Sequence, residues 1–508
     1  MNRKMTYAVG VLTLALCLSC AKRIPPPSPP EAHAVDLAAW VPEEMEVLVV
    51  FSSLEALKSS MEQLKTRPSL KPLSDMLEAA QKETQEELGL DLFSMSAWRE
   101  MGVNTQVPVG LALDTREAFE AVLVMPVVEQ VSFLAAVEKH LAGPGKWKAQ
   151  PDMPEELRAW KARPGRFVVL APKPGHALIL AGEDLEVLKK RTQLLQEKSW
   201  ARHKDILRQT DLRLPADRVV SVWARMDKDK DREGMGIEWV GAGVSTHPRA
   251  KGVVDVTWRQ GNPLFPKTQK VPFEPGKWPR GLGDAAGGFW SAVPLDWYAE
   301  LLQTPLFSRG TELGLVEMVF DVFKQNFEPP VLARAWIPDK EGGEGFGEGF
   351  EEDFHWSVDV LLKEGNSAEK SLNLLAAFIS SVSRNAFTSR EEARATQADS
   401  RLPIWEVQAG EQKLWAHVSG PGRVRIADRL HSYEREVPNV LQKEVMQEMT
   451  HYPIAAAFHL NALSKSPMFR FIFGGNAFEK AEYILLGLCV EEGHAQLVGE
   501  HFMEVDSR

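Results

Sequence analysis

Cysteine is scarce in this chain, with three residues among 508. Cys17 and Cys20 stand near the N-terminus, and Cys489 lies in the apolar run ILLGLCVEEG. If the chain is cut before Cys20 and that residue is acylated, no intrachain disulfide can form, so we expect packed cores rather than cross-links to hold the fold. Cys489 is expected to be an inert buried residue, with a reactive thiol as the alternative.

Long apolar runs are also missing. The segment from Tyr7 to Leu18 carries no charge and follows Arg3 and Lys4, but a membrane helix needs roughly 20 apolar residues. A short apolar run behind a positive start is typical of a secretion signal. The sequence therefore predicts a signal peptide over residues 1–19 in place of a membrane span.

Basic residues are outnumbered, 59 against 70 acidic ones, for a net charge of −11. Nucleic acid and anionic lipid surfaces are poor partners for such a chain, so we expect no nucleic-acid partner. The hydrophobic share of 44% is enough for packed cores. The length favours two domains.

Familiar catalytic motifs are absent from the sequence, which has no HExxH pair, no GxSxG elbow and no cysteine with an identifiable histidine partner. The glycines of GLGDAAGG, residues 281–288, precede a predicted strand and lack the Lys-Ser/Thr ending of a phosphate-binding loop. We expect these glycines to permit close packing. No cofactor is expected, and a carboxylate pair for glycoside cleavage cannot be selected from the sequence alone.

The stretch LALCLSC, residues 14–20, resembles the lipobox of bacterial lipoproteins. The resemblance implies cleavage before Cys20, acylation of its thiol and new amino group, and a palmitate-type membrane anchor. Leu is usual three positions before the cleavage site, where this chain has Cys17. The alternative is ordinary secretion with Cys20 left free. By the sorting habits of such lipoproteins, Ala21 after the cysteine implies the outer membrane.

A proline-rich segment follows, with five prolines between residues 25 and 30. Each proline ring fixes φ and removes a backbone donor, which favours an extended polyproline II chain. At about 3.1 Å per residue, ten such residues span roughly 30 Å. Residues 20–35 are therefore predicted to be a lipidated stalk, with a disordered leader as the alternative.

The chain carries an internal repeat. Four segments of the first half match four of the second half in the same order, which indicates a duplication. The predicted repeats cover residues 36–260 and 279–508, joined by a proline-rich extended connector over residues 261–278. The matched pairs are the segment from Val41 with that from Trp278, Phe133–Leu141 with Leu374–Val382, the segment from Lys173 with that from Gly420, and Ile237–Trp258 with Ala481–Phe502.

Within each repeat, strands come in pairs separated by short turns, as in VPVGLALDTREAFEAVLVMPV, where a turn is predicted at residues 114–117. Amphipathic helices alternate with these hairpins. We predict an α+β fold of two homologous halves, each a mainly antiparallel sheet with amphipathic helices packed on one face of it. The predicted apolar helix faces are Leu54, Leu57, Met61 and Leu64 in one helix, and Val131, Leu134, Val137 and Leu141 in another.

The loop MDKDKDREGMGIEW offers a candidate calcium site. Asp227, Asp229, Asp231, Glu233 and Glu238 occupy oxygen-ligand positions of an EF-hand loop. The required central glycine is replaced by an arginine, lysines are interspersed, and the flanks are typical of strands. A solvated charged hairpin loop is the favoured interpretation.

A second acidic segment, DKEGGEGFGEGFEEDF, covers residues 339–354. Its glycines and repelling charges favour a mobile insertion, which is either a tolerated loop extension or a docking loop for a basic partner. The candidate partner-binding residues are Glu344, Phe346, Glu348 and Phe350.

Tryptophan is abundant, with 15 residues, and Trp258, Trp278, Trp290 and Trp297 crowd around the connector. Flat exposed rings would suit a glycan strand. Burial between the two halves is favoured because tryptophan gains most when its large area leaves water.

The opening VPEEMEVLVVFSSLEAL, followed by GLD, GVN and PVG, resembles an uncharacterised family of bacterial cell-envelope proteins that carry a domain of unknown function. The resemblance implies architecture and location and supplies no catalytic residue. We therefore expect a lipid-anchored, non-catalytic envelope protein that binds or scaffolds another envelope protein or polymer. The alternatives are a hydrolase of cell-wall or exported polymer and a carrier of an apolar ligand.

Overall fold

The structure, a computed structural model, describes residues 37–503 with gaps, the longest of which are 66–81, 83–93, 305–320, 338–354, 383–393, 429–439 and 464–481. The chain forms two compact units. Unit 1 ends at Thr257 and unit 2 begins at Trp258, except that residues 233–236 group with unit 2. No helix among the described residues is long and apolar enough to cross a membrane.

Unit 1 contains an antiparallel sheet in which the described strands follow the order β10-β9-β8-β1-β2-β3-β7-β6-β5-β4. The predicted hairpin after residue 108 is confirmed, since β2 pairs with β3 across residues 115–119. The strands are β1 Val47–Phe51, β2 Val109–Asp114, β3 Glu120–Pro126, β4 Lys148–Ala149, β5 Arg158–Lys161, β6 Phe167–Lys173, β7 His176–Gly182, β8 Val220–Arg225, β9 Ile237–Ser245 and β10 Lys251–Trp258.

Helices connect these strands. They are α1 Leu54–Lys65, α2 Met95–Glu100, α3 Gln130–Leu141, α4 Leu185–Leu194 and α5 Lys204–Arg213, the last preceded by a 3₁₀ turn at Trp200–His203. Polar caps fix two of the helix starts, because the side chains of Ser94 and Asp184 accept hydrogen bonds from the first turns of α2 and α4.

The predicted apolar face of α3 is confirmed at Val137 and wrong at Val131. Val131 is 82% exposed, whereas Phe133 and Val137 are buried against the sheet and Leu134 is only partly buried. Residues 131 and 133 point about 200° apart on a helix, so one face cannot bury both. The larger ring of Phe133 takes the core position because it removes more apolar area from water. In α1, Leu54 is buried as predicted.

Unit 2 contains a second antiparallel sheet, with the described strands in the order β20-β19-β18-β11-β12-β13-β17-β16-β15-β14. The strands are β11 Gly287–Ser291, β12 Phe327–Trp336, β13 His355–Leu362, β14 Arg394–Asp399, β15 Ile404–Ala409, β16 Gln412–Ser419, β17 Arg423–Ala427, β18 Ile454–His459, β19 Glu482–Glu491 and β20 His494–Met503. The helices are α6 Asp296–Gln303, α7 Ala368–Val382, α8 Val440–Met449 and α9 Leu460–Leu463.

Helices pack on both faces of the unit 2 sheet. Leu372 of α7 packs in a core cluster with Val360, while Met446 of α8 packs with Leu332. Leu332 lies directly opposite Asp359 in the sheet, and Val360 is the next residue after Asp359, so the two clusters occupy opposite faces. The expectation of helices on a single face is therefore wrong for unit 2, while the mixed helix and antiparallel-sheet class is confirmed.

Within the proline-rich segment, residues 265–273 are described and pack on unit 2. The backbone of Thr268 donates to Val490, and its hydroxyl accepts from the Val490 amide at 2.9 Å. Farther along, the Val271 amide donates to Ala292 at 2.6 Å. These bonds make residues 265–273 part of the second unit rather than a free linker.

The four tryptophans around the connector are buried, with exposures between 0% and 5%. Trp278 meets Trp290 edge to face at a centroid distance of 5.4 Å, and the Trp297 indole donates to the Pro266 carbonyl. Their ring faces are closed to solvent, which contradicts a glycan platform at these residues. Gly288 permits close packing as predicted, because Leu282 occupies the space that a Cβ atom would need.

Candidate functional site

The two sheets can be compared strand by strand, because they share one strand order and matching pairing registers. Val47 of β1 lies opposite Ala224 of β8, which lies opposite Val240 of β9. In unit 2, the corresponding row is Gly287, Phe458 and Ile484. The repeat match of Ile237–Trp258 with Ala481–Phe502 aligns Val240 with Ile484 from sequence alone, so the sequence and the sheet registers agree.

At one group of equivalent strand positions, the two sheets carry very different residues. In unit 1, Val124, Leu178 and Ala171 lie opposite one another across β3, β7 and β6. Ala112 of β2 lies diagonal to Val124 on the same face, and each of the four is at most 1% exposed. The equivalent positions in unit 2 hold Arg334, Asp359, Arg425 and His417. An apolar core patch in one unit is therefore a charged patch in the other.

Asp359 lies at the centre of the charged patch and is fully buried. Nη2 of Arg334 lies 2.9 Å from Oδ2 of Asp359, and Nε of Arg425 lies 2.9 Å from Oδ1. Each carboxylate oxygen thus accepts a charge-assisted hydrogen bond from a different strand. We call Arg334, Asp359, His417, Arg423 and Arg425 the arginine cluster.

Burial and mutual repulsion shift the pKa values within the arginine cluster. Burial lowers the pKa of His417, and the positive charges of Arg425 and Arg423 lower it further. Both effects favour the neutral form of the His417 imidazole. Burial also lowers the pKa of Arg423, against the opposing effect of the Asp359 charge, but a guanidinium stays protonated in proteins.

Ser357 adds a hydroxyl group to the same face. It lies directly opposite Arg334 on the neighbouring strand and is fully buried. Its Oγ atom has no hydrogen-bond partner among the residues that the structure describes. A buried hydroxyl without a partner costs about 1–3 kcal/mol, which makes this position a point where a further polar group is favoured.

A histidine–aspartate pair lies at the start of β13. Nδ1 of His355 lies 2.9 Å from Asp428, whose other carboxylate oxygen accepts from the Trp356 amide. Ser357 shares a strand face with His355, yet in the described structure its hydroxyl makes no hydrogen bond to the imidazole. The arrangement therefore lacks the paired nucleophile and base of a serine hydrolase.

A carboxylate pair occurs in unit 1 but not at the equivalent positions of unit 2. Asp114 and Glu120 lie opposite each other on β2 and β3, are 6% and 8% exposed, and both pair with Arg191 of α4. Trp336 and His355 occupy the equivalent positions in unit 2. Arg191 forms ion pairs with both buried carboxylates. A carboxylate pair that cleaves glycosides must be open to the substrate, which this buried pair is not.

Most residues singled out from the sequence lie outside the described residues. These are Cys20, Asp227, Asp229, Asp231 and Glu233 of the calcium candidate, and Glu344, Phe346, Glu348 and Phe350 of the acidic segment. Glu238 is described and lies half-buried on β9. Within the described ranges, no group of three or more His, Cys, Asp or Glu side chains is arranged to hold a metal ion.

The arginine cluster was missed by sequence reasoning. Its signal is charge at alternate positions of otherwise apolar strands, as in VLARAW, HWSVDVLL and RVRIA. Alternating charges normally indicate a solvated strand face, so the sequence gives no reason to expect them buried.

An open hollow lies at the start of α7 and is lined by Ser367, Glu369, Lys370, Asn373 and Leu374. Comparison of the chain with protein-family models, curated proteins and solved structures found no match.

Proposed function

We propose that this chain is a lipid-anchored, non-catalytic protein of the cell envelope that binds another envelope component through unit 2. One observation carries the proposal. The strand positions that hold the apolar residues Ala112, Val124, Leu178 and Ala171 in unit 1 hold the arginine cluster in unit 2. A scaffold needs no buried charge at these positions, since the apolar version folds. Buried ion pairs are seldom more stabilising than apolar packing, so a binding role explains their presence.

The proposal includes an internal duplication. It is supported by the common strand order, by the matching registers, and by Gly175 and Gly422, which both have positive φ at equivalent hairpin turns. One matched segment needs correction. Aligning Phe133 with Leu374 pairs a 1% exposed residue with a 40% exposed one, whereas a two-residue shift pairs Phe133 with the fully buried Leu372.

The anchor and the binding role are tested together in cells. We expect mass spectrometry of the mature protein to find an acylated N-terminal Cys20, and a Cys20→Ser variant to leave the membrane fraction. Crosslinking in intact envelopes should capture a partner with the wild-type chain and less of it with Arg425→Met. An unmodified N-terminus would refute the anchor, and partner capture unaffected by Arg425→Met would refute the assigned face.

A second candidate, carriage of an apolar ligand, is favoured by exposed aromatic rings on the opposite face of unit 2. Trp356 is 37% exposed and Phe458 38% exposed, and they lie in one cross-strand row separated by Ala335 and Gly287. The equivalents in unit 1 are the small residues Ala121 and Ala224. A fluorescent fatty acid that binds the wild-type chain and at least about tenfold more weakly a Phe458→Ser variant would support this function, and equal binding would exclude it.

A further inference from the structure

Two valines at the start of α3 are exposed to solvent. Val128 is 71% exposed and Val131 is 82% exposed, although a valine side chain gains stability by leaving water. A single exposed apolar side chain needs no explanation, but these two lie within three residues of each other. They belong to one end of unit 1, which also holds the turn between β6 and β7.

Hydrogen bonds join the start of α3 to this turn. The Val127 amide donates to the Gly175 carbonyl at 3.0 Å, and the side-chain amide of Gln130 donates to the Lys173 carbonyl. Pro174 and Gly175 are exposed, and a Cβ atom added at Gly175 would meet no atom within 4 Å. The exposed valines therefore stand beside an uncovered turn at the same end of the sheet.

The chain enters unit 1 at this end as well. Leu37, the first described residue, is buried. Trp40 is half-buried, and its ring lies 5.5 Å, centroid to centroid, from the imidazole of His176, the residue directly after Gly175. The segment that carries Cys20 therefore joins the body beside the exposed valines.

The length of that segment keeps this end of unit 1 close to an anchored Cys20. Cys20 precedes Leu37 by 17 residues, and a chain of this length spans at most about 60 Å when fully extended. Such a tether raises the effective concentration of lipid around the residues it joins. A contact of only a few apolar side chains is therefore sufficient to hold this end on the bilayer.

Unit 2 carries polar residues at the equivalent positions. Under the corrected repeat alignment, Val128 corresponds to Ser367 and Val131 corresponds to Lys370. Ser367 and Lys370 are exposed too, as polar residues at a helix start normally are. The exposed valines are thus not needed to begin a helix at this place, and they occur in the unit that the N-terminal segment joins.

We infer that this end of unit 1, made of Trp40, Val128, Val131 and the turn 174–175, contacts the bilayer to which Cys20 is anchored. We call these residues the valine tip. The inference rests on the proposed lipid anchor and names the protein surface that faces the membrane. The valines enter the apolar edge of the headgroup region, and Trp40 lies at headgroup level, which suits an amphipathic ring. Because the net charge is −11, the contacted lipids are neutral ones such as phosphatidylcholine.

Quenching of a dye by labelled lipid tests this contact. The acylated mature chain carries Cys489→Ala, which removes the other thiol, and a nitrobenzoxadiazole dye attached at Ala135→Cys. Ala135 is exposed and lies one helix turn after Val131, so the dye reports on the same helix face while both valines stay in place. In phosphatidylcholine vesicles with a nitroxide on the acyl chains, we expect the dye to be quenched.

Two variants separate the valine tip from apolar exposure in general. Val128→Ser combined with Val131→Lys copies unit 2 and should weaken the contact at least about tenfold, the loss expected for one fully buried valine side chain. Leu212→Lys is the matched control, which should leave the quenching unchanged. Leu212 is 79% exposed on α5, and α5 packs over β9, four strands away from β3. Melting curves verify that both variants fold.

Salt distinguishes apolar insertion from attraction between charges. Quenching in the wild-type chain should persist at high salt, because salt screens charges and leaves apolar contacts in place. No quenching in the wild-type chain, an equal loss in Leu212→Lys, or quenching that disappears at high salt would each overturn the inference.

Failure of the anchor is visible separately. An acylated Cys20 without quenching means that the anchor stands and the valine tip is wrong. If mass spectrometry finds Cys20 unmodified, the anchor fails, and a hexahistidine tag in place of residues 1–20 then tethers the chain to vesicles that contain a zinc-chelating lipid. Quenching that depends on the valines in this tethered chain supports the valine tip as a lipid-contacting surface, and its absence refutes it.

Discussion

Gly487 lies beneath the ring of Tyr452, and a Cβ atom at this glycine would lie 2.4 Å from Cγ of that ring. Such an atom is close to the tyrosine backbone and cannot swing aside. The Tyr452 hydroxyl is also bonded to Glu500 at 3.2 Å, which fixes the ring. A strand glycine in this sequence gives no hint of the contact, since the two residues are brought together only by the packing of the residues after α8 on the sheet.

We predict that Gly487→Ala lowers the free energy of unfolding by about 1–3 kcal/mol, the usual cost of overpacking a core. Gly287→Ala is the control, because the nearest atoms to its added Cβ would be 3.6 and 3.8 Å away. Chemical denaturation of both variants measures the difference. Equal stability of the two would contradict the described packing of Tyr452.

Glu55 in the first turn of α1 links this helix to α2 and to the residues that follow α2 through hydrogen bonds. It accepts from the Thr105 hydroxyl at 2.6 Å and from Arg99 at 2.5 Å. The bond from Thr105 is the main reason that the pKa of Glu55 lies below its ordinary value of 4.5, and Arg99 lowers it further. A depressed carboxyl pKa contributes stability above the ordinary value, and this contribution disappears as pH falls through the folded value.

We therefore expect Glu55→Gln to destabilise the protein by about 1 kcal/mol at pH 7, and by much less near pH 3. The comparison is the difference in unfolding free energy between wild type and variant at the two pH values. Glu62→Gln removes an exposed helix pair with Lys58 at 3.7 Å, which should cost no more than about 0.5 kcal/mol. A pH-independent effect at Glu55 would argue against the hydrogen-bonded carboxylate.

Cys489 was expected to be buried and inert, and the structure places it only half-buried. Burial raises the pKa of its thiol. The reactive thiolate is therefore scarce at neutral pH.

At the scale of helices and strands, alternation and turn residues predicted the hairpins correctly, while helix rotation was predicted poorly. Strand pairing follows short-range signals, such as the PG turns that place Gly175 and Gly422 at positive φ. The rotation of a helix about its own axis depends on which of its apolar sides packs against the sheet. In α3, both sides contain apolar residues, so periodicity alone does not decide between Val131 and Phe133.

The rotation of α3 can be tested by mutation. We predict that Phe133→Ala lowers the unfolding free energy by about 3–5 kcal/mol, because it empties a core position. Val131→Ala should change it by no more than about 0.5 kcal/mol at its exposed site. Thermal or urea unfolding of the two variants gives the comparison, and a larger loss at Val131 would mean that the helix is rotated the other way.

At the scale of the whole molecule, the comparison of the two sheets predicts how the arginine cluster affects stability. Removing one member of a buried ion pair leaves the other charge uncompensated and costs about 3–5 kcal/mol, whereas replacing a whole network with fitting apolar residues is often neutral or stabilising. Unit 1 carries apolar residues, Ala112, Val124 and Leu178, at the equivalent strand positions.

We predict that Asp359→Val alone lowers stability by about 3–5 kcal/mol, while the combined variant Arg334→Ala, Asp359→Val and Arg425→Leu recovers most of that loss. These replacements copy Ala112, Val124 and Leu178 of unit 1. Urea unfolding monitored by tryptophan fluorescence measures both variants. If the combined variant is less stable than Asp359→Val, residues at equivalent strand positions of the two sheets are not interchangeable.

The sequence by itself determined the chain's charge balance and the hairpins β2–β3 and β6–β7, because these depend on composition and on residues close in the chain. Only the tertiary structure decided which charges are buried together. Arg334, Asp359 and Arg425 come from β12, β13 and β17 and meet only when those strands pair in one register. A one-residue slip would turn the same side chains to the other face of the sheet, so register rather than residue type creates the site.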